Sequence, residues 1–193
     1  MRTYGLVLAA GAGSRMGMPK ALKFDTDGTS WLRRAVEVVR AGGCDEVYVV
    51  LGAAVDDARG LLDGAGVEVV IAPDWAMGMS ASLIAGLGAL GDSRAEAALV
   101  MLVDLPDITA PVIQRLVSGA GPHTLRRASY AGTPGHPALI GRQHWAGVLA
   151  SAVGDQGARP YFEATPHELV ECDDLAGGQD VDEDPTLGQP ARS

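Results

Sequence analysis

The sequence contains few aromatic residues, few cysteines and almost no lysine. Aromatic side chains make up 5% of the 193 residues, so a hydrophobic core must be built mainly from Ala, Val, Leu and Ile. The only two cysteines, Cys44 and Cys172, match no zinc-binding spacing. We therefore expect free thiols, which are typical of a reducing cytoplasm. Lysine occurs only at Lys20 and Lys23.

Long apolar runs and an excess of positive charge are also absent from the sequence. No run reaches the roughly 18 to 20 residues that a membrane-spanning helix needs, and no signal peptide pattern opens the chain. A net charge of −9 argues against a general nucleic-acid-binding protein, which needs a basic face. We expect a cytoplasmic protein that binds neither membranes nor nucleic acids, while a small anion could still bind in a local basic loop.

Short apolar runs alternate with amphipathic segments through the first 120 residues. The runs predict strands at 4–10, 46–52, 67–73 and 97–106, and the segments between them predict helices at 30–43, 55–66, 80–90 and 109–119. Beyond residue 120 the pattern weakens to two candidate strands and one helix, at 126–132, 136–140 and 142–153. This alternation predicts one three-layer α/β/α domain over residues 1–188, Rossmann-like with a mainly parallel sheet, and a disordered tail at 189–193.

The most specific stretch is "LAAGAGSRMGMPKAL", residues 8–22, which follows the first predicted strand. Its three glycines let backbone N–H groups turn toward an anion, and Arg15 and Lys20 add positive charge. It is not a Walker A loop, since no Gly-Lys-Ser/Thr follows, and the G-x-G-x-x-G spacing fails by one residue. Two interpretations stay open: a phosphate-binding loop, or a purely structural strand-to-helix turn.

Two further stretches point to the same edge of the sheet. Asp104 ends an otherwise apolar run, where a buried carboxylate needs a partner such as Mg²⁺. The alternative is an aspartate that caps the following turn. In residues 73–83, "PDWAMGMSASL", Gly78 and Ser80 precede a helix whose N-terminus could face a base or a phosphate. The alternative there is an ordinary capped helix.

Taken in this order, these motifs resemble the family of molybdenum-cofactor cytidylyltransferase-like nucleotidyltransferases. The resemblance rests on residues 8–22, on "GMSASLIAGL" and "VDLPDIT", and on "GTPGHPALI" and "GDQGARPYF" later in the chain. It implies the nucleotidyltransferase fold of nucleotide-diphospho-sugar transferases and an Mg²⁺-dependent transfer of a nucleoside monophosphate. A C-terminal segment, "DVDEDPTL", matches the family pattern only in part, because its Thr-Pro is missing.

The resemblance also implies roles for individual residues. Base and ribose would contact Leu8, Ala9, Ala10 and Gly11. The phosphates would contact Gly13, Ser14, Arg15 and Lys20. Further nucleotide contacts would come from Pro73, Gly78 and Ser80. The metal ligands would be Asp104 and Asp182, and the catalytic groups would be Arg15, Lys20 and Asp104. The acceptor would contact Gly135, His136 and Pro137, although His136 could equally be a loop histidine bonded to backbone.

The Ala-Ala-Gly at the start of the loop is similar to the members that transfer cytidylyl groups. The expected reaction is therefore CTP plus molybdopterin giving molybdopterin cytosine dinucleotide and pyrophosphate, with a molybdenum hydroxylase as a client. The alternatives are a sugar or polyol phosphate as acceptor, a GTP-using guanylyltransferase, an NAD(P)-dependent reductase of a nicotine-derived pigment, or a non-catalytic molybdopterin chaperone.

Overall fold

Seven strands form one sheet in the computed structural model, which describes residues 2–13 and 16–181. The strands are β1 Thr3–Leu8, β2 Glu46–Leu51, β3 Glu68–Ile71, β4 Ala97–Leu102, β5 Leu125–Tyr130, β6 Thr133–Gly141 and β7 Glu168–Glu171. Three predicted site residues, Ser14, Arg15 and Asp182, and the predicted disordered tail at 189–193 lie outside the described residues.

The strands are arranged in the order β3-β2-β1-β4-β6-β5-β7. All neighbouring strands are parallel except β6, which runs antiparallel to both β4 and β5. The mainly parallel sheet predicted from the sequence is confirmed. The register places Leu8, at the end of β1, beside Val50 and Leu102, so the carboxyl ends of β1, β2 and β4 meet at one edge.

Helices cover both faces of the sheet and enclose two hydrophobic cores. One core lies under α1 Trp31–Ala41, α2 Val55–Leu61 and α4 Ala110–Val117, and the other lies under α3 Met79–Leu90, α5 Trp145–Ser151 and α6 Arg159–Ala164. The predicted three-layer architecture is therefore confirmed. The hydroxyl of Ser30 caps α1 by accepting a hydrogen bond from the N–H of Arg33, as the sequence pattern predicts.

The boundaries of several elements differ from those that the sequence pattern suggests. β1 ends at Leu8 and β4 at Leu102, so Asp104 follows its strand in a turn instead of ending it. The helix expected to open at Ser80 begins at Met79 with Gly78 at the N-cap, so Ser80 lies inside the helix. The polar β7 has little hydrophobic signal of its own, and its pairing with β5 provides its hydrogen bonds.

Neither cysteine forms a disulfide, since Cys44 and Cys172 are both free and buried. Burial is the main cause that raises the pKa of the Cys44 thiol to about 12, so this sulfur stays protonated at neutral pH. Among the described residues, no helix combines the length and the apolar character needed to cross a membrane.

Two glycines of α3 provide a test of how the helix is positioned against the sheet. A Cβ at Gly86 would lie 2.6 Å from Leu6, which is fully buried, whereas a Cβ at Gly88 would meet nothing within 4 Å. We expect Gly86→Ala to lower the free energy of unfolding, because overpacking costs about 1–3 kcal/mol. We expect Gly88→Ala to raise it by up to about 1 kcal/mol through helix propensity. Urea denaturation of both variants checks this prediction, and equal effects of the same sign would contradict it.

Candidate active site

A cleft of about 500 Å³ opens beyond the carboxyl ends of β1 and β4. Three segments of the chain line it, namely the glycine-rich loop after β1, the segment that leads into α3 and the turn after β4, together with two more distant aspartates, Asp155 and Asp180. The predicted nucleotide-binding residues that line this cleft are Leu8, Ala9, Ala10, Gly11, Gly13, Lys20, Gly78 and Asp104. These residues, distant in sequence, are therefore brought together in space.

The backbone of the loop depends on glycine at position 13. Gly13 has a φ of 62°, and a Cβ there would lie 2.0 Å from the carbonyl oxygen of Met18. The turn is closed by a hydrogen bond of 2.8 Å from the N–H of Met16 to the oxygen of Gly13. Pro19 then precedes a 3-10 turn, Lys20–Leu22, which presents the Lys20 side chain to the cleft.

Lys20 and Asp104 form an ion pair at the floor of the cleft. Nζ of Lys20 lies 2.5 Å from Oδ2 of Asp104, and both side chains are largely withdrawn from solvent, with 20% and 11% exposed. The other carboxylate oxygen, Oδ1 of Asp104, is buried and has no hydrogen-bond partner among the described residues. A buried and unpartnered carboxylate oxygen is costly, so this atom is suited to a cation or a donor supplied by a ligand.

The described lining of the cleft is acidic. Its charged side chains are Lys20 and three carboxylates, Asp104, Asp155 and Asp180. A triphosphate would be repelled by this set alone, so a divalent cation would improve the electrostatic match. No group of three or more His, Cys, Asp or Glu side chains within residues 2–13 and 16–181 could hold a metal ion without other ligands. Mg²⁺ commonly uses only one or two carboxylates, together with phosphate oxygens and water.

Asp180 reaches the cleft because hydrogen bonds hold the segment before it in place. Oδ2 of Asp107 accepts hydrogen bonds of 2.8 Å from the N–H groups of both Gly177 and Gly178. The N–H of Val181 donates to the carbonyl oxygen of Asp104 over 3.1 Å. The turn after β4 therefore supplies one carboxylate directly and positions a second one.

The segment before α3 packs against a turn from the far end of the chain. Gly78 has a φ of 105°, and a Cβ there would lie 2.5 Å from Oδ1 of Asp155. The N–H of Met79 donates to the same oxygen over 3.4 Å. Asp155 belongs to the quoted motif "GDQGARPYF", but the sequence reasoning did not name it.

Two predicted nucleotide contacts lie away from the cleft lining. Pro73 is exposed, and Ser80 is buried with its hydroxyl accepting a hydrogen bond of 3.1 Å from the N–H of Gly157. This bond ties α3 to the turn that carries Asp155. The hydroxyl that does line the cleft on α3 belongs to Ser82, which the sequence reasoning did not single out.

The predicted acceptor residues lie on β6 beside a second, smaller cavity. His136 lines this cavity, whereas Gly135 and Pro137 do not. The backbone carbonyl of His136 accepts a hydrogen bond of 2.9 Å from the Tyr130 hydroxyl. Burial, and next the charge of Arg127, lower the pKa of His136 to about 4, so its imidazole is neutral at pH 7.

The sequence is similar to that of a known protein family and of a curated protein. Residues 5–169 match the family model described as the MobA-like NTP transferase domain. A curated relative, the nicotine blue oxidoreductase of Paenarthrobacter nicotinovorans, is 35% identical over an alignment of 191 residues in length. The alignment covers 92% of this chain and 91% of the relative.

Solved structures with the same fold include Rv0371c from Mycobacterium tuberculosis H37Rv. It superposes with a TM-score of 0.80 at 29% identity, covering 95% of this chain and 93% of that one. Rv0371c has also been solved as a complex with manganese, which matches with a TM-score of 0.72 at 28% identity and covers 89% of this chain and 87% of that one. A nucleotidyl transferase from Methanothermobacter thermautotroptrophicus matches with a TM-score of 0.75 at 25% identity, covering 88% and 87% of the two chains.

Proposed function

We propose that this chain transfers CMP from CTP to the terminal phosphate of molybdopterin and releases pyrophosphate. The premise is that the chain belongs to the family of MobA-like NTP transferase domains and is a nucleotidyltransferase. The nucleotidyltransferase fold that the sequence resemblance implied is confirmed. A cytoplasmic setting and a molybdenum hydroxylase that receives the product are parts of the same proposal.

One observation carries the proposal: the glycine-rich loop and the ion pair between its Lys20 and Asp104 line a single cleft. A nucleotide needs backbone donors and a cation for its phosphates, and this cleft offers both. The choice of CTP rests on Ala9, Ala10 and Gly11, which line the cleft near the end of β1 and match the cytidylyl pattern.

The cleft also fits a divalent metal ion. The unpartnered Oδ1 of Asp104 offers a hard oxygen ligand, while Oδ2 of the same carboxylate already binds Lys20. Asp180, which precedes the expected ligand Asp182 by two positions in the sequence, offers a second carboxylate from this segment. We propose Mg²⁺ as the ion, and the manganese complex of Rv0371c supports a divalent metal in this family. Such an ion would neutralise phosphate charge and polarise the phosphoryl group that is attacked.

The residues of the chain would act mainly by positioning and by charge. The attacking phosphate monoester has a second pKa near ~6, so it is largely ionised at neutral pH and needs no general base. The glycine-rich loop would hold the triphosphate in line for attack on the α-phosphorus. Lys20 would stabilise the negative charge that develops on the leaving pyrophosphate, with Arg15 in the same proposed role.

A pyrophosphate-release assay tests the proposal. Purified protein, Mg²⁺ and molybdopterin would be supplied with CTP, GTP, ATP or UTP in turn. We expect release with CTP well above the other three nucleotides. Release with GTP alone would keep the reaction class but would contradict the base assignment from Ala9, Ala10 and Gly11. Release only with a sugar or polyol phosphate in place of molybdopterin would contradict the acceptor assignment.

A second candidate function comes from the curated relative. The 35% identity with nicotine blue oxidoreductase favours the alternative of an NAD(P)-dependent pigment reductase. The glycine-rich loop argues against it, because the dinucleotide spacing G-x-G-x-x-G is absent. Oxidation of NADH or NADPH in the presence of nicotine blue, followed by absorbance at the reduced nicotinamide band, distinguishes the two functions.

The link between Asp107 and Asp180 gives a more moderate prediction. Asp107→Ala removes the acceptor of two N–H groups that hold the segment before Asp180. We expect the Mg²⁺ concentration for half-maximal activity to rise about 10-fold, on the scale of losing a residue that orients a metal ligand. Asp107→Asn, which keeps one acceptor oxygen, should have a smaller effect. An unchanged Mg²⁺ requirement in the alanine variant would contradict this role of Asp107.

A further inference from the structure

A second cavity adjoins the cleft, and its walls share Leu8 and Met79 with it. Its volume is about 40 Å³, whereas a single buried water needs roughly 10–15 Å³. The second cavity therefore has room for a few waters or for one tetrahedral or planar oxyanion. Most of its wall is apolar, with Leu83, Val100 and Phe162 among the contributing side chains.

The wall of this cavity carries the guanidinium of Arg127, whose charge is offset in part by Glu163 without a direct ion pair between the two. Arg127 on β5 is half-buried, and its Nε donates to the carbonyl oxygen of Gly135 over 3.3 Å. Its guanidinium carbon lies 5.3 Å from the centre of the Phe162 ring. Neither Nη atom donates a hydrogen bond to a described residue, and no carboxylate in the described part of the chain forms an ion pair with Arg127.

The other polar groups of the second cavity do not supply a negative charge. They are the neutral imidazole of His136, the amide of Gln156 and the guanidinium of Arg159, and no described lining residue has a carboxylate. Arg159 lies at the exposed rim, where its Nε is 3.3 Å from Oε1 of Glu163. Burial lowers the pKa of Arg127, the charge of Arg159 lowers it further, and the charge of Glu163 opposes both effects.

A half-buried guanidinium with free donors suits a forked contact with a carboxylate or a phosphate. We infer that the second cavity binds an anionic group of the acceptor, other than the phosphate that attacks, and that Arg127 recognises it. This inference rests on the proposed function, and it narrows the acceptor class to phosphate monoesters that carry a second anionic group. Shared walls allow one acceptor to occupy the second cavity and to reach the nucleotide cleft.

Kinetics with molybdopterin and CTP test the role of Arg127. We expect Arg127→Met to raise the KM for molybdopterin about 10- to 100-fold and to leave the KM for CTP unchanged. Arg127→Lys should recover part of the loss, because it restores the charge without the forked donors. Arg94→Met is the matched control, since Arg94 is exposed and lines neither cavity. An unchanged KM for molybdopterin in Arg127→Met would overturn the inference.

Direct anion binding separates a failure of this inference from a failure of the proposed function. Sodium phosphate and sodium acetate would be titrated separately into ¹⁵N-labelled protein without nucleotide, with the Arg127 Nε–H signal assigned by its loss in Arg127→Met. A shift with phosphate or with acetate supports the inference and identifies the anion class. No shift with either anion would overturn it. A shift in a protein that lacks nucleotidyl transfer with every nucleotide would contradict the proposed function while supporting the anion site.

Discussion

Replacing Lys20 by alanine is expected to lower kcat/KM for nucleotidyl transfer at least ~100-fold. Lys20 supplies the only positive side chain in the described lining of the cleft, so its loss removes a preorganised partner for the leaving pyrophosphate. It also leaves the buried Asp104 carboxylate without its ion-pair partner. Pyrophosphate formation in acid-quenched single turnovers measures the effect on the chemical step apart from product release.

The other lysine of the chain provides the matched control. Lys23 is three residues away and does not line the cleft, so Lys23→Ala should keep near-wild-type turnover. Lys20→Arg should recover part of the activity, because the charge is kept. Thermal denaturation of each variant separates loss of folding from loss of catalysis. Near-wild-type turnover in a folded Lys20→Ala variant would contradict the role assigned to Lys20.

Replacing Asp104 by alanine or asparagine is expected to have an effect of similar size, at least ~100-fold in kcat/KM. Asparagine keeps the shape of the side chain but removes its charge, so it weakens both the ion pair with Lys20 and any contact with a divalent cation. We also expect the Mg²⁺ concentration for half-maximal activity to rise, which a loss of Lys20 alone should not reproduce. Asp92→Asn, at an exposed position outside the cleft, is the control.

Combining the two substitutions tests whether these residues act as a unit. Because Lys20 and Asp104 are in direct contact, the double variant should lose less activity than the product of the two single losses. Fully multiplicative losses would indicate independent roles. Undiminished turnover in the Asp104 variants at every Mg²⁺ concentration would contradict the assignment of Asp104 to the metal.

Much of the site could be predicted because its signals are local. Gly13 and Lys20 belong to one 15-residue motif that follows a buried strand. The end of that strand determines which edge of the sheet they occupy. Asp104 stands out because it interrupts the charge-free run of β4 and the turn after it. The general rule that ligands bind at the carboxyl ends of parallel strands then places both residues together.

The contributions of Asp155, Asp180 and Arg127 could not be predicted in the same way. Asp155 reaches the cleft because its turn packs on Gly78, and Asp180 because its segment is bound by Asp107. Both placements depend on contacts between residues about 70 positions apart, which leave no periodic pattern in the sequence. Arg127 lies in a strand whose register shifts between Arg127 and Ser129, so strict alternation does not predict which way it points.

Ser80 carries a local signal whose structural role depends on a distant part of the chain. A serine near the start of a predicted helix suggests a cap or a ligand contact, and the family resemblance implies a nucleotide contact for Ser80. In the structure its buried hydroxyl binds the N–H of Gly157 and joins α3 to the turn that carries Asp155. The distinction depends on a partner 77 residues away and therefore on the tertiary structure.

If this cleft transfers a nucleotidyl group, the α-phosphate of CTP must end up on the acceptor, and a radiolabel shows whether it does. Protein, Mg²⁺ and molybdopterin would be incubated with CTP labelled in the α-phosphate, and the products would be separated by chromatography. We expect the label in a new dinucleotide, in equal amount with the pyrophosphate released. Unchanged CTP and molybdopterin in a preparation that oxidises NADPH when nicotine blue is supplied would contradict it.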